Sequence, residues 1–275
     1  MDWRFDRLNG ALSAVVVCRL PPRCNGRGQK RRVAELEYRW AAHMDSKIVN
    51  RSIRDRIWPR LRDHGFVSSS RSAWRHHTDR VDVVDFQSFN SYNAQVIGCT
   101  TFSFAVNLGC YLLSIPPSDE PARIKQNGGR PIPAEYQCHF RSRLSPSIPQ
   151  PQLNSADIWF IEESGKNLDS SLDDVWDNLQ RTGLQWFEQF ANPNDVLRIL
   201  LTEQEQMSRL WGFGNNSSPL RHYLIGYVAR SLGDAPIAAE HLQAASASQS
   251  FTSIQERLVF DARAAAQQII GPERR

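Results

Sequence analysis

Five polar side chains that could bind a ligand recur at alternating positions in three segments of the sequence. They are Gln87, Asn107, His139, Arg141 and Arg143, and the intervening positions of each segment are mostly apolar. If these segments are neighbouring β-strands, all five side chains lie on one face of a sheet. The two arginines would then suit a carboxylate or a phosphate. The alternative is a solvent-facing sheet surface on which arginine stems cover apolar neighbours.

Two other groups of residues have the types found in metal sites. His76 and His77 precede Asp79, but neighbouring residues of a strand point to opposite faces, so the imidazoles cannot easily share one ion. The acidic residues of 169–177 are better explained by a favourable charge at a helix N-terminus and by a solvated helix face. We therefore expect no metal at either place.

The cysteine positions and the absence of common enzyme motifs limit the reactions that the protein is expected to carry out. The five cysteines stand at positions 18, 24, 99, 110 and 138 without a C-x-x-C pair, which predicts reduced thiols in a cytoplasmic protein. The glycine-rich, nucleophile-elbow and metalloprotease motifs of common enzymes do not occur. We expect no cofactor, and we leave open whether the protein is an enzyme.

The order of the predicted elements indicates an α+β protein. Spacing of apolar residues predicts a helix over 46–64 that ends at Gly65. Alternation and β-branched residues then predict a sheet of about five strands. These strands cover 72–77, 81–89, 100–113, 137–144 and 157–163. Because the later segments are helical, we expect an antiparallel sheet flanked by helices and followed by a C-terminal α-helical bundle.

The later helices are predicted from the spacing of their apolar residues and from proline and glycine at their ends. One helical stripe begins at Leu168 and has a weak point at Thr182-Gly183. The helices that follow are predicted over 195–211, 219–232, 236–247 and 252–270.

Charge and composition suggest three regions along the chain. The chain has 275 residues and a net charge of +4, but residues 1–43 alone carry nine basic and four acidic side chains. We expect 1–43 to be a disordered basic arm or an upstream stretch before a translation start at Met44. We further expect an α+β domain over 44–205 and a helical extension over 206–275. No apolar run reaches the roughly 20 residues of a membrane span.

The region from about 46 to 205 resembles a bacterial family of unknown function, the DUF4304 family. The segments that carry the resemblance are His64-Gly65-Phe66, Phe86-Gln87-Ser88, residues 102–109, residues 138–144 and Asp157-Ile158-Trp159-Phe160. The resemblance implies a helix-flanked antiparallel sheet, and it implies no established activity.

A second, local resemblance is to one tetratricopeptide helical hairpin at about 219–247. Its small residues include Gly226, Ala238 and Ala245, which would let two antiparallel helices pack closely. A binding array needs about three such units. A single unit followed by the 252–270 helix is better explained as a packing or capping bundle.

Several functions remain compatible with the sequence. We expect first a non-catalytic protein-interaction module, of the accessory or immunity-like kind, with an unidentified protein partner. The alternatives are an anion, nucleotide or nucleic-acid binder, or a hydrolase, that uses the polar sheet face around His139, Arg141 and Arg143. A small anionic ligand fits these side chains. We do not expect nucleic acid as a partner, because the positive charge is concentrated in 1–43, and we expect no membrane association.

Overall fold

The computed structural model describes residues 44–118, 124–148, 153–205 and 209–270, with an antiparallel sheet at the centre. The strands are β1 Val67–Ser69, β2 Ser72–His76, β3 Arg80–Ser88, β4 Phe104–Leu112, β5 Gln126–Asn127, β6 Arg130–Pro131 and β7 Phe140–Arg143. Five of them form the sheet in the order β1-β2-β3-β4-β7, and β5 pairs with β6 separately. The predicted arm or upstream stretch over 1–43 lies outside the described residues.

Helices precede β1, lie between β3 and β4, and follow β7. They are α1 Ser46–Arg56, α2 Trp58–Asp63, α3 Ser91–Ile97, α4 Leu168–Asn178, α5 Leu184–Glu188, α6 Pro193–Thr202, α7 Pro219–Leu232, α8 Ala235–Ser246 and α9 Gln255–Ile270. A π-helical turn over Leu179–Gly183 joins α4 to α5, and 3₁₀ turns precede β7 and α9. The predicted α+β class, with an antiparallel sheet and a C-terminal helical region, is therefore confirmed.

The first predicted helix is divided in two. Asp45 caps α1, because its Oδ1 accepts hydrogen bonds from the backbone N–H groups of Lys47 and Ile48 at 2.8 and 2.9 Å. The chain bends after α1, and Pro59 lies in the first turn of α2, where its missing N–H costs no helical hydrogen bond. Gly65 has φ +83° just after α2, the left-handed conformation expected at a helix end.

One face of the sheet is apolar and supports two hydrophobic clusters. Residues Val106 and Leu108 of β4 pack in a cluster with Val49 and Ile53 of α1 and Leu172 of α4. Arg56 of α1 also donates hydrogen bonds to Asp169 and Asp173 of α4. The N-terminal helices and α4 therefore cover the same end of this face.

The C-terminal helices cover the other end of the same face. Cys110 and Leu112 of β4 and Phe140 of β7 share a buried cluster with Leu224 of α7 and Leu258 of α9. The helices after residue 206 consequently pack on the sheet, a question that the sequence left open. The division at 205 and 206 into two domains stays a prediction.

Helices α7 and α8 form the expected hairpin. Only Gly233 and Asp234 separate them, and Gly226 of α7 lies against Leu242 of α8. A Cβ atom on Gly226 would lie 2.7 Å from both Cγ and Cδ2 of Leu242. The backbones therefore approach closely at this point. The tetratricopeptide resemblance itself stays a prediction.

The prediction of a fifth strand over 157–163 is wrong. Within that segment Trp159 forms a single isolated bridge with Phe104, and the fifth strand of the sheet is instead β1 at the opposite edge. The reason is that β7 already pairs with Asn107 to Cys110 on that side of β4, which leaves room for one further pair. The segment has a strand-like pattern because Ile158 and Ile161 are buried.

The predicted helix over 195–211 ends early. Helix α6 stops at Thr202, and the guanidinium of Arg221 donates hydrogen bonds to the carbonyls of Leu200 and Glu203 at 2.7 and 2.8 Å. These bonds satisfy carbonyl groups that a longer helix would have used itself. Trp211 pairs instead with Arg141 of β7, and this bridge extends the sheet edge.

None of the helices within the described ranges combines the length and the hydropathy that a membrane-spanning helix requires.

Candidate functional site

The five side chains predicted to share a sheet face fall on the same side of β3, β4 and β7 by strand register. Asp85 pairs with Asn107, which pairs with Arg143, and Gly109 pairs with Arg141. His139 lies just before β7 and receives a hydrogen bond from the backbone of β4. Their positions on one face agree with the sequence pattern. Their binding of a ligand stays a prediction.

A row of four polar residues crosses this face, one from each of four strands. The polar row consists of Ser72 of β2, Asp85 of β3, Asn107 of β4 and Arg143 of β7, which are direct cross-strand partners. The Ser72 hydroxyl donates to Asp85 Oδ1 at 2.6 Å, and Arg143 Nε donates to Asn107 Oδ1 at 2.7 Å. Direct cross-strand pairs are the closest side-chain neighbours in a sheet, so this row connects the four strands.

Gln87 joins the polar row from one position further along β3. Its Oε1 accepts hydrogen bonds from Asn107 Nδ2 at 3.1 Å and from Arg143 Nη2 at 2.9 Å. Gln87, Asn107 and Arg143 are therefore in direct contact, as the sequence suggested. Burial raises the pKa of the Asp85 carboxyl, against the opposing effect of hydrogen bonds from Ser72 and Asn107.

Arg141 is held in a different way, and it does not join the row. Its Nε and Nη2 donate to the two carboxylate oxygens of Glu135 at 2.8 and 3.0 Å. This forked pair raises the pKa of Arg141. A Cβ on Gly212 would lie 3.0 Å from Arg141 Cδ, so the loop backbone approaches the arginine stem closely. The expected pair of open arginine forks is not present, because each guanidinium already has partners within the protein.

His139 also lies apart from the polar row. Its ring stacks on Tyr111 with 4.7 Å between the centroids, and its Nδ1 accepts the N–H of Leu112 at 3.0 Å. Burial lowers the pKa of His139 to about 3, so the imidazole is neutral at physiological pH and carries its proton on Nε2. Among the described residues no carboxylate orients this ring, unlike the histidine of a hydrolytic triad.

An open cavity with two arginines lies at the end of β7, and the sequence pattern did not reveal it. Its volume is about 400 Å³. It is lined by Leu108, Ser142, Arg143, Leu144, Ser145, Pro146, Ser147, Asn178, Arg181, Thr182, Trp186 and Arg209, which we call the arginine–serine cavity. Arg181 and Arg209 supply its exposed positive charge. Arg143 borders it, although its guanidinium is bound on the other sheet face.

Hydrogen bonds to serine hydroxyls hold both arginines. Arg181 Nη2 donates to Ser147 Oγ at 3.0 Å and to Asn178 Oδ1 at 2.8 Å. Arg209 Nη1 donates to Ser145 Oγ at 2.9 Å. Within the described part of the chain, neither arginine has a carboxylate at ion-pair distance. Each guanidinium therefore keeps N–H groups that are free to bind a ligand.

Two carboxylates contact the two serines and hold the loop that follows β7. Asp157 Oδ1 accepts the Ser145 hydroxyl at 2.6 Å, and Asp174 Oδ2 accepts the backbone N–H of Ser147 at 3.1 Å. Asp174 also accepts the indole N–H of Trp159 at 2.9 Å. The serines are consequently oriented before any ligand arrives. Asp157 and Asp174 therefore contact the serines, and the serines in turn contact the guanidinium groups of Arg209 and Arg181.

The π-helical turn shapes one wall of the cavity. Arg181 and Thr182 both lie in this turn, between α4 and α5. Such turns interrupt the regular helix and are frequent at functional sites. The sequence signalled it only as the weak point at Thr182-Gly183. The Arg209 backbone has φ +57°, and its carbonyl accepts the Ser142 hydroxyl at 2.8 Å, which ties the opposite wall to β7.

The candidate metal ligands diverge as expected. His76 Nε2 contacts the Pro131 carbonyl at 2.8 Å, whereas His77 Nε2 contacts buried Asp82 Oδ2 at 2.8 Å on the other side of the sheet. Across the described ranges, His, Cys, Asp and Glu form no group of three that could hold a metal ion.

The fold and the cavity together define an α+β protein with a five-stranded antiparallel sheet, a helical C-terminal region and a basic cavity at the sheet edge. Residues 57–189 match the family model DUF4304, described as a domain of unknown function. The family expected from the sequence is thereby confirmed over that segment. No curated protein and no solved structure matches the chain significantly.

Proposed function

We propose that the protein is a non-catalytic binding protein whose arginine–serine cavity holds the anionic group of a small organic ligand. The observation that carries this proposal is the pair Arg181 and Arg209 in one concave cavity, each held by a serine and neither paired with a described carboxylate. It keeps the anion-binding alternative of the sequence and moves its site from the sheet face around His139, Arg141 and Arg143 to these two arginines.

The polar groups of the cavity favour a negatively charged ligand. Arg181 and Arg209 offer charged donors, and the Ser147 hydroxyl offers a neutral one, whereas the Ser145 and Thr182 hydroxyls already donate within the protein. Hydrogen bonds between a guanidinium and a carboxylate or phosphate are about twice as strong as neutral ones. Because the serines already hold the guanidinium groups, less side-chain entropy is lost when the ligand binds.

The remaining walls favour an organic body attached to that anion. Leu108, Leu144, Pro146 and Trp186 line the cavity beside the polar groups. A volume of about 400 Å³ is within the range of small-molecule sites, roughly 300–1,000 Å³. An aryl or alkyl phosphate or carboxylate would use both halves of this lining.

Calorimetric titration with phenyl phosphate tests the proposal. We expect Arg181→Gln and Arg209→Gln each to weaken binding by about tenfold, since each removes a charge-assisted hydrogen bond. Arg198→Gln on α6 is the matched control, because Arg198 is also exposed and lies outside the cavity. The affinity of the unmodified protein should fall as salt is added.

Three results would contradict the proposal. One is the absence of binding at millimolar phenyl phosphate, and another is an equal loss of affinity in Arg198→Gln and the two cavity variants. Release of phenol from phenyl phosphate during the titration would refute the non-catalytic part and leave the site in place.

A protein-interaction role of the accessory or immunity-like kind is a second candidate, favoured by one surface on α3. Tyr92 and Val96 are 72% and 57% exposed and lie four residues apart, which places them on the same side of the helix. We expect a protein partner captured with the full chain to be lost on Tyr92→Ser and retained on Phe260→Ser, an exposed aromatic residue of α9. Equal retention in both variants would exclude this surface.

We further propose a cytoplasmic location. The supporting observation is that Cys99, Cys110 and Cys138 are all free thiols, as expected in a reducing compartment. Labelling of the protein in fractionated cells would test this.

A further inference from the structure

A second cavity lies on the face of the sheet that carries the polar row, at the end where His139 stacks on Tyr111. Its volume is about 370 Å³, and it shares no lining residue with the arginine–serine cavity. It is lined by Tyr111, Pro117, Ser118, Ile124, Tyr136, Gln137, Cys138, His139, Gly212 and Leu220, which we call the aromatic cavity. The function proposed above does not use it.

Three rings line the aromatic cavity. Tyr111 and His139 form a rigid stacked pair, with 24° between their planes, and Tyr136 is 73% exposed at the 3₁₀ turn before β7. Burying an exposed tyrosine ring against a flat molecule removes apolar area from water and adds a favourable ring–ring contact. The lining therefore favours a planar aromatic ligand.

His139 provides a hydrogen-bond donor, and the donor atom is Nε2. Because its Nδ1 accepts the Leu112 N–H at 3.0 Å, the proton of the neutral ring must be on Nε2. Nε2 has no hydrogen-bond partner among the described residues, and neither has the Tyr111 hydroxyl. A partly buried donor without a partner favours a ligand that carries a hydrogen-bond acceptor.

The charge of the lining restricts the ligand further. None of the described residues that line this cavity is Asp, Glu, Lys or Arg. A charged ligand would lose its hydration here without gaining an opposite charge, and that loss is costly. An uncharged ligand has no such cost.

We propose that the aromatic cavity binds an uncharged planar heteroaromatic molecule, whose acceptor atom takes the Nε2 hydrogen of His139 and whose ring contacts Tyr136. Each part of this assignment follows from the lining: the rings from Tyr111 and Tyr136, the acceptor from His139, and the neutrality from the absence of charged side chains among the described lining residues.

Saturation-transfer NMR titration of the full chain tests this at pH 7.5 with three probes. Quinoline is neutral and has a ring nitrogen that accepts, indole is similar in size but lacks such an acceptor, and quinoline-6-carboxylate is charged. We expect quinoline to bind about fivefold more tightly than indole, because it gains one hydrogen bond. The carboxylate should bind more weakly than either.

Exposed tyrosines provide a matched pair of variants that should both fold. Tyr136→Ala should weaken quinoline binding by roughly fivefold to tenfold. Tyr92→Ala should leave it unchanged, because Tyr92 is 72% exposed and lies on α3, outside the cavity. A shift of the His139 Nε2 resonance on adding quinoline would support the hydrogen bond.

The proposal is overturned if quinoline does not bind at millimolar concentration, if Tyr136→Ala and Tyr92→Ala behave alike, or if the carboxylate binds as well as quinoline. Arg181→Gln should not change quinoline binding, so failure here and failure of the anion site are distinguishable.

Discussion

Replacing Gly226 by alanine tests how closely α7 and α8 approach. The added Cβ would lie 2.7 Å from Cγ and Cδ2 of Leu242 and 3.0 Å from its backbone nitrogen. Carbon atoms in favourable contact are roughly 3.5–4.0 Å apart, so the helices or the Leu242 side chain must move. Leu242 is fully buried, and its backbone cannot yield without separating the hairpin.

The expected free energies can be compared directly. Overpacking of this kind costs about 1–3 kcal/mol, and the backbone contact favours the upper half of that range. Alanine in place of glycine within a helix gains roughly 1 kcal/mol. Gly226→Ala should therefore lower the free energy of unfolding by about 1–2 kcal/mol, as the difference of these two terms.

Urea unfolding of four proteins measures this effect. They are the unmodified chain, Gly226→Ala, Leu242→Ala and the double variant. In the Leu242→Ala background Cγ and Cδ2 are gone and only the backbone contact at 3.0 Å remains. Gly226→Ala should therefore cost less there, and the coupling between the two sites should be about 1–2 kcal/mol. A stabilised Gly226→Ala single variant, or additive effects, would refute the close approach of the helices.

Two further predictions concern charge. The free energy of unfolding should fall as the pH drops from about 6.5 towards 3, because the unfolded chain protonates His139 while the native pKa stays near 3. The contribution of His139 to the slope is at most about 1.4 kcal/mol per pH unit. His139→Asn, which keeps an acceptor for the Leu112 N–H, should flatten the dependence of the unfolding free energy on pH. An unchanged pH dependence would contradict a neutral His139 in the folded protein. Glu135→Gln should destabilise the protein by about 1–3 kcal/mol in thermal unfolding, since Arg141 loses its carboxylate, and Glu188→Gln, at an exposed site, should cost much less.

The strict alternation along 104–112 made the central strand predictable from sequence. Strand β4 has the predicted apolar face, and the parity of Gln87 and Asn107 placed them on the other face correctly. The same parity could have identified Asp85, which is two residues before Gln87 on β3. A period of two is a local property, so a single sequence records it well.

Features that depend on distant partners were not predictable in this way. Strand β1 has three residues, too few for a period to be recognised, and 157–163 reads as a strand because it is buried. Arg181 and Arg209 meet in one cavity only because a π-helical turn and a loop converge on the end of β7. Neither arginine lies in a local pattern that indicates a shared site.

The cluster that joins the sheet to the C-terminal helices constrains how this domain can be inherited. The family match ends at residue 189, but Cys110, Leu112 and Phe140 are covered by side chains that come after it, such as Leu224 and Leu258. A gene fragment limited to the matched segment would encode a sheet with one apolar end in water, at a cost of roughly 25 cal/mol for each Å² exposed. Recombination that moves this segment between genes must therefore move its helical cover as well, or supply another apolar surface in its place.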